Sequence, residues 1–269
     1  MQAIGINGIT GRMGRLIAAA VTDHADCQLV GGLSRQAFTE VNGLPADLRA
    51  LDLDPATLHQ DPAALCAIAE VIIDFSLPPA TMALAEVARA TGTGLVIGTT
   101  GLSAREEDRL AALAADGLAC VFAPNMGLGI NVLLALVARA ARALDPAFDI
   151  EIVEMHHGGK VDAPSGTALG LGRAAAAGRD IDLADAAVRS RDGHTGARVP
   201  GSIGFATLRG GDIVGEHSVI FAGPGERIEL SHKAGSRTIF ANGAVAAARW
   251  LAGKPAALYS MRDVLNLTD

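Results

Sequence analysis

Residues 3–14 read Ala3-Ile4-Gly5-Ile6-Asn7-Gly8-Ile9-Thr10-Gly11-Arg12-Met13-Gly14. Its first four residues form a short apolar run, which predicts a buried strand. The glycines that follow predict a tight turn, and residues 12–21 carry the spacing of an amphipathic helix. A strand, a glycine-rich turn and a helix in this order are typical of the first unit of a doubly wound α/β domain.

The same alternation continues to about residue 124. Short apolar runs predict further strands at residues 28–33, 71–75, 95–97 and 119–122, and amphipathic runs between them predict helices at 80–90 and 104–115. Strands of continuous apolar character separated by helices indicate a parallel sheet that is covered on both faces. We therefore expect a Rossmann-type domain with a doubly wound parallel sheet.

The pattern changes after Pro124-Asn125. A helix capped by Asn131 is predicted to run to residue 144, followed by a strand at 148–155 and a helix at 167–177. Three consecutive strands at 202–208, 213–221 and 227–232 then favour a second α+β domain with a mixed or antiparallel sheet. A helix at 244–251 returns to the first domain. The expected division is residues 1–124 with 241–269, and residues 125–240.

Composition limits the classes of function. Half of the 269 residues are apolar, 3% are aromatic, and the formal charge is −7. This charge, without a compensating run of Lys or Arg, argues against nucleic-acid binding. No run is long and apolar enough to span a bilayer and no secretory signal is recognisable, so we expect a cytoplasmic protein. Cys27, Cys66 and Cys120 are widely spaced and predict neither a disulfide nor a metal site.

Residues 8–14 are also a candidate dinucleotide loop. Glycines there let the backbone approach a pyrophosphate, which the start of the helix attracts, although Thr10 replaces a glycine of the usual fingerprint. The second strand ends at Ser34 and Arg35, where NAD-binding proteins commonly carry an acid, and both side chains can bind a phosphate. We therefore expect NADPH as the preferred cofactor, with NADH possible. The loop Gly98-Thr99-Thr100-Gly101 should line the same crevice, unless it is an ordinary turn.

A second candidate site lies between residues 154 and 167. His156 and His157 are adjacent and Lys160 follows them, so several groups that exchange protons stand close together. The turn Pro164-Ser165-Gly166-Thr167 opens a helix, where backbone N–H groups gather and attract anions. This combination indicates a catalytic centre rather than a strand end with one solvated and one core histidine.

These motifs resemble those of the dihydrodipicolinate reductase family, the 4-hydroxy-tetrahydrodipicolinate reductases of the diaminopimelate route to lysine. The resemblance covers nearly the whole chain and is most specific around the histidine pair. The matching segments are residues 8–14, 71–75, 98–101, 123–125, 154–167, 193–196, 204–206, 211–217 and 240–244.

The resemblance implies reduction of a small cyclic imine that carries two carboxylates, with NAD(P)H as the reductant and tetrahydrodipicolinate as the product. It implies that His156 is the catalytic acid/base, that Lys160 is the proton donor and that His157 contacts the substrate. A substrate carboxylate would be bound by Ser165, Gly166 and Thr167. The nicotinamide cofactor would be held by Gly8, Ile9, Thr10, Gly11, Arg12, Met13, Gly98, Thr99, Thr100, Ala123, Pro124, Asn125 and Met126.

Residues 1–124 with 241–269 would then be the dinucleotide-binding domain, and residues 125–240 the substrate-binding and oligomerisation domain. The resemblance implies a homotetramer, and the edges of the second sheet favour assembly as well, because exposed edges are usually covered. Two positions depart from the family pattern. Ser34 stands where many members carry an acid, which disfavours NADH, and Met126 replaces an aromatic residue that is often found there.

Three other functions fit parts of the sequence. A non-catalytic NADP-binding sensor would need only the first domain, and Lys160 with the histidine pair argues against it. Another two-domain NADP-dependent imine or amino-acid dehydrogenase would share the carboxylate-binding turn, which alone does not exclude it. A purely structural oligomer would have little use for so many glycine-rich loops.

Overall fold

A computed structural model describes residues 1–37, 40, 43–51 and 53–267 of the chain. Two compact units are present: unit 1 comprises Met1–Leu128 and the segment from Thr238 onward, and unit 2 comprises Gly129–Arg237. The divisions therefore lie at 128/129 and 237/238, a few residues from the expected 124/125 and 240/241. The reason is that Met126 is buried in the core of unit 1 and that a helix of this unit begins at Thr238.

The strands and helices are numbered along the whole chain. The strands are β1 (Gln2–Asn7), β2 (Cys27–Leu33), β3 (Leu58–His59), β4 (Val71–Asp74), β5 (Gly94–Ile97), β6 (Ala119–Phe122), β7 (Asp149–His156), β8 (Ala187–Val188), β9 (Ile203–Arg209), β10 (Gly215–Gly223), β11 (Glu226–Ala234) and β12 (Ala257–Tyr259). The helices are α1 (Arg12–Thr22), α2 (Ala46–Arg49), α3 (Pro62–Cys66), α4 (Pro78–Thr91), α5 (Ala104–Ala115), α6 (Leu128–Ala143), α7 (Gly166–Gly178), α8 (Leu183–Ala186), α9 (Thr238–Leu251) and α10 (Met261–Val264), with a 3-10 turn at Pro55–Thr57.

Unit 1 is built on a seven-stranded sheet in the order β12-β6-β5-β4-β1-β2-β3. Each pair of neighbouring strands is parallel. Helices cover both faces, which explains why the first three residues of β4 are all apolar. Val71 and Ile73 join a buried cluster with α1 and α9, whereas Ile72 joins a second cluster with α3, α4 and α5. The predicted doubly wound parallel sheet is confirmed.

Unit 2 contains a five-stranded mixed sheet in the order β11-β10-β7-β9-β8. β10 runs antiparallel to β11 and β7, while β7 and β8 run parallel to β9. Residues of α6 and α7 pack on one face, where Ile152 of β7 and Val219 and Phe221 of β10 are fully buried. The predicted second α+β domain with a mixed sheet is confirmed.

One local prediction was wrong. Asn131 does not cap α6, because this helix begins at Leu128 and Asn131 lies buried inside it. A different asparagine stabilises the turn that precedes the helix: Asn125 Oδ1 accepts a hydrogen bond from the Gly127 N–H at 2.9 Å. Within the described ranges, no helix combines the length and the apolar character needed to cross a membrane.

Candidate active site

A crevice lies in unit 1 where the carboxyl ends of β1 and β4 meet. The chain proceeds from β1 to β2 and β3 on one side, and from β4 to β5 and β6 on the other. A cavity of about 820 Å³ opens there, and a second of about 440 Å³ shares Arg12, Phe75 and Ser76 with it. Open α/β sheets bind ligands at such a reversal of strand order.

The glycine loop forms one wall of the larger cavity. Gly8 adopts a φ of +78°, and its N–H donates to the Leu33 carbonyl at 3.1 Å. Gly11 precedes α1, and none of the described side chains caps this helix, so its first N–H groups are open to a ligand. A Cβ on Gly14 would overlap the Gly8 carbonyl oxygen, so the loop packs on the helix as closely as only glycine permits. This arrangement suits a phosphate group.

Most residues predicted to bind the cofactor line these two cavities. The larger cavity is bordered by Gly8, Thr10, Gly11, Arg12, Ser34 and Arg35, and the smaller by Arg12, Met13, Gly98, Thr99, Thr100, Pro124, Asn125 and Met126. Ile9 and Ala123 are buried in the core instead. The Ile9 N–H donates to the Leu33 carbonyl at 3.3 Å, and the Ala123 N–H donates to the Ile97 carbonyl at 3.1 Å. These two residues therefore anchor the loops to neighbouring strands.

A buried polar network beside the crevice was not predicted. The Asn7 side-chain amide donates to Asp74 Oδ1 at 3.0 Å and to Ser76 Oγ at 3.1 Å. The Ser76 N–H donates to Asp74 Oδ1 and to Thr99 Oγ1, at 3.0 and 3.1 Å. Burial raises the pKa of the Asp74 carboxyl. The network joins the ends of β1, β4 and β5, and so fixes the floor of the crevice.

Phe75 also had no predicted role in the site. It lines both cavities, and a Cβ on Gly98 would overlap its ring. Gly98 therefore leaves the space that the aromatic ring occupies. Phe75 follows β4 directly, at the strand that neighbours β1, and this position at the reversal of strand order was the signal that could have identified it.

The candidate site of unit 2 is built around His156, the last residue of β7. Its Nδ1 lies 2.5 Å from Glu154 Oε2. Arg209 makes a bidentate contact with the same carboxylate, with Nη1 at 2.8 Å from Oε2 and Nη2 at 2.9 Å from Oε1. Burial alone would raise the pKa of Glu154, but the hydrogen bonds from Arg209, His156 and the Ser165 N–H outweigh it and hold this pKa below its usual value.

Ser165 lies against the same group of residues. Its N–H donates to Glu154 Oε1 at 3.0 Å, and its Oγ accepts from the Ala168 N–H at 3.1 Å, which makes it the N-cap of α7. His217 Nε2 is 3.0 Å from Ser165 Oγ, and its ring packs edge-on to that of His156 at 5.1 Å. Burial first, and then the charge of His156, lower the pKa of His217 to about 4.

The other predicted residues of unit 2 lie next to His156 or Ser165 in the chain or in the loop between them. Gly166 and Thr167 are the first residues of α7, and Gly166 is exposed. The His157 N–H donates to the Ile213 carbonyl at 2.8 Å. Lys160 Nζ lies 2.7 Å from Asp162 Oδ1, and this contact lowers the pKa of the Asp162 carboxyl. The structure thus ties His156 to Ser165 through Glu154, while Lys160 pairs with a neighbour in its own loop.

Two arginines whose roles the sequence did not reveal are also placed. Arg191 makes a bidentate contact with Glu151 at 2.9 Å, and Arg198 bonds to Glu151 at 2.9 Å and to Asp149 at 2.6 Å. Glu151 lies on β7, on the face opposite to Glu154, because side chains alternate along a strand. These arginines therefore hold the loop before β9 and take no part in the His156 cluster.

Comparison with known proteins places both units in one family. The family description "Dihydrodipicolinate reductase, N-terminus" matches residues 2–126, and "Dihydrodipicolinate reductase, C-terminus" matches residues 129–265. These matches together take in nearly the whole chain, and they agree with the resemblance seen in the sequence motifs.

Curated relatives and a solved structure agree with this result. The 4-hydroxy-tetrahydrodipicolinate reductases of Rhodopseudomonas palustris (strain TIE-1) and Methylocella silvestris are each 50% identical over 264 residues, which is 98% of this chain and 97% of either relative. The dipicolinate-bound dihydrodipicolinate reductase from Paenisporosarcina sp. TG-14 has the same fold, with a TM-score of 0.76, 24% identity and 97% of each chain covered. The chain belongs to the dihydrodipicolinate reductase family of NAD(P)-dependent oxidoreductases.

Proposed function

We propose that this chain reduces 4-hydroxy-tetrahydrodipicolinate to tetrahydrodipicolinate in the diaminopimelate route to lysine, with NADPH as its preferred reductant. One observation carries the proposal at the level of the site. The buried carboxylate of Glu154 binds His156 Nδ1 through one oxygen and the Ser165 N–H through the other. A group that exchanges protons is thereby fixed beside the start of a helix, where a substrate carboxylate is favoured.

The substrate is a small ring with two carboxylates, so it needs cations and N–H donors. Ser165, Gly166 and Thr167 form the start of α7 and would receive one carboxylate, and His157 would contact the substrate nearby. Lys160 would supply positive charge and a proton. Its pairing with Asp162 is a contact between exposed or half-buried groups, which a dianionic ligand can replace at little cost.

Proton transfer is assigned to His156 and Lys160. When the ring accepts a hydride, negative charge develops on it and a proton must arrive, and Lys160 is proposed as the donor. His156 would act as acid/base for this step and for the loss of water from the hydroxylated substrate. A positioned acid or base of this kind contributes about 10²- to 10⁴-fold to a rate.

The crevice of unit 1 fits a nicotinamide dinucleotide. The uncapped start of α1 and the glycine loop would bind the pyrophosphate, and the loops at Gly98–Thr100 and Pro124–Met126 would hold the nicotinamide end. The reduced nicotinamide supplies the hydride. The tight packing between Gly8 and Gly14 supports this assignment, because it brings backbone N–H groups to the cavity wall.

The preference for NADPH rests on charge. Among the described residues that line the larger cavity, none is Asp or Glu, and the charged ones are Arg12 and Arg35. Ser34 is buried at the end of β2 with its Oγ 3.2 Å from the Gln36 N–H. A 2′-phosphate would gain charge-assisted bonds from Arg35, whereas a ribose hydroxyl would lack the carboxylate that NAD sites usually provide.

Assembly as a homotetramer is part of the proposal, as is the cytoplasmic location expected for this biosynthetic step. The face of the second sheet that points away from α6 and α7 carries the partly exposed side chains Val153, Met155, Leu208 and Ile220. An apolar sheet face of this kind is normally covered, and further copies of the chain would cover it.

The reaction can be tested by condensing the aldehyde and pyruvate precursors in the presence of the protein and following NADPH absorbance. We expect oxidation of NADPH by the wild type, and a fall in kcat of roughly 10²-fold in His156→Gln and in Lys160→Ala. Replacement of the exposed His194 by Gln, in the same unit, should leave kcat unchanged. No oxidation by the wild type would refute the proposed reaction, and near-normal turnover in either variant would remove that residue from it.

A further inference from the structure

We propose that Glu154 is a positioning residue for this reaction, which keeps the proton of neutral His156 on Nδ1 and so presents Nε2 as the atom that exchanges protons. The inference rests on the proposed role of His156. It assigns a function to a residue for which neither the sequence motifs nor the family resemblance implied one. It also states which ring nitrogen of His156 exchanges protons.

The first support is the set of donors around Glu154. This carboxylate is 1% exposed and receives four contacts at 3.0 Å or less: two from Arg209, one from the Ser165 N–H and one from His156 Nδ1. An ionised carboxylate only accepts hydrogen bonds. The guanidinium opposite it favours that ionised state, so His156 Nδ1 must be the donor.

The second support is the surroundings of the other ring nitrogen. A Cβ on Gly215 would lie 3.0 Å from His156 Nε2, so the glycine leaves this nitrogen uncrowded. His217, whose edge faces the ring, is neutral at neutral pH because burial holds its pKa near 4. Besides His156 and Glu154, the titratable groups whose charge acts on His217 are His232 on β11 and Lys160 in the loop after β7.

The third support is that the same carboxylate fixes the start of α7. Glu154 Oε1 holds the Ser165 N–H, while Oε2 holds His156. The distance between the proton-exchanging ring and the proposed carboxylate-binding turn is therefore set by one rigid group. Arg209 also donates to the Asp162 carbonyl at 2.7 Å, which ties the intervening loop to this group.

The tautomer can be read directly by long-range 1H–15N NMR, with the His156 signals assigned by their loss in His156→Gln. We expect the wild type to carry the neutral-ring proton on Nδ1. In Glu154→Gln, the side-chain amide can donate to Nδ1, so the proton should move to Nε2 and kcat should fall by roughly 10²-fold with a smaller change in KM. Glu154→Asp keeps the charge and should retain the Nδ1 proton and part of the activity.

Glu151→Gln is the matched control. Glu151 lies on the same strand and is also paired with two arginines, but it faces away from His156. Its replacement should change neither the His156 signals nor kcat.

Two results would overturn the inference. A wild-type protein with the neutral proton on Nε2 would do so, whether or not Glu154→Gln folds. A loss of kcat in Glu154→Gln with the proton still on Nδ1 would overturn it as well, because Glu154 would then support the fold of the site without setting the position of the proton. A wild type with the Nδ1 proton but no turnover would support the positioning of His156 and refute the proposed reaction instead.

Discussion

His217 should make unit 2 sensitive to acid. It is 5% exposed, its Nε2 is 3.0 Å from Ser165 Oγ, and its buried Nδ1 has no hydrogen-bond partner among the residues that the structure describes. Burial, then the charge of His156, lower its pKa from 6.5 to about 4, although the Glu154 carboxylate acts in the opposite direction. As the pH falls, this ring therefore accepts a proton in the unfolded chain at a higher pH than in the folded chain.

The sign and size of the effect follow from linkage. Because the folded pKa lies below the unfolded one, the stabilisation is complete above pH 6.5 and is lost as the pH falls towards 4. A pKa that falls from 6.5 to about 4 corresponds to about 3 kcal/mol of unfolding free energy, of which about 2 kcal/mol should be lost by pH 5.

Urea unfolding followed by far-UV circular dichroism between pH 7 and 4.5 measures this loss. The carboxyl groups of the whole chain also titrate in this range, so the informative quantity is the difference between the wild type and His217→Gln, in which a neutral amide replaces the imidazole. We expect the variant to be less stable at pH 7 and to lose less stability on acidification, and the exposed His194→Gln to follow the wild type. Parallel curves for wild type and His217→Gln would refute the reasoning.

Two further predictions concern the cofactor and the assembly. Arg35→Ala should lower kcat/KM for NADPH by roughly 5- to 10-fold and leave kcat/KM for NADH almost unchanged, because a charge-assisted bond from an exposed side chain contributes about 1 kcal/mol. An equal effect on both cofactors in steady-state kinetics would contradict a contact with the 2′-phosphate. Light scattering of the wild type should give the mass of a tetramer. Leu208→Glu, on the apolar sheet face, should lower the measured mass. A monomeric wild type would argue against assembly.

The fold could be predicted from the sequence because its signals are local. The run Val71-Ile72-Ile73 is apolar throughout, and the structure shows why: alternate side chains enter the clusters on the two faces of the sheet. Pairs such as β3 with β2 and β12 with β6 could not be predicted, since strands of two or three residues carry no periodicity. Asn131 misled the prediction because asparagine is a frequent N-cap, whereas here it lies inside α6.

The conformation of the loops proposed to bind the cofactor was also readable from the sequence. Glycines after a strand have few reasons to be there other than a sharp turn or a close approach, and both occur at Gly8 and Gly14. Asp74 and Phe75 were missed although their segment was recognised. Their roles depend on the neighbouring strand β1 and on the glycine at position 98, and a single sequence does not state which strands are adjacent.

The residues that hold His156 were missed for the same reason, and the mixed sheet explains it. Arg209 is 55 residues from Glu154 in the chain, and it comes within reach because β9 pairs with β7 in a register that places it beside His156. His217 is opposite Glu154 through the register of β10. A slip of one residue in β9 would turn Arg209 to the other face and leave Glu154 buried without its counter-charge. The proposed position of a single proton on His156 therefore depends on how β7 pairs with β9 and β10. A reacting side chain can be found by its chemistry in the sequence, whereas the group that orients it becomes visible only once the register is known.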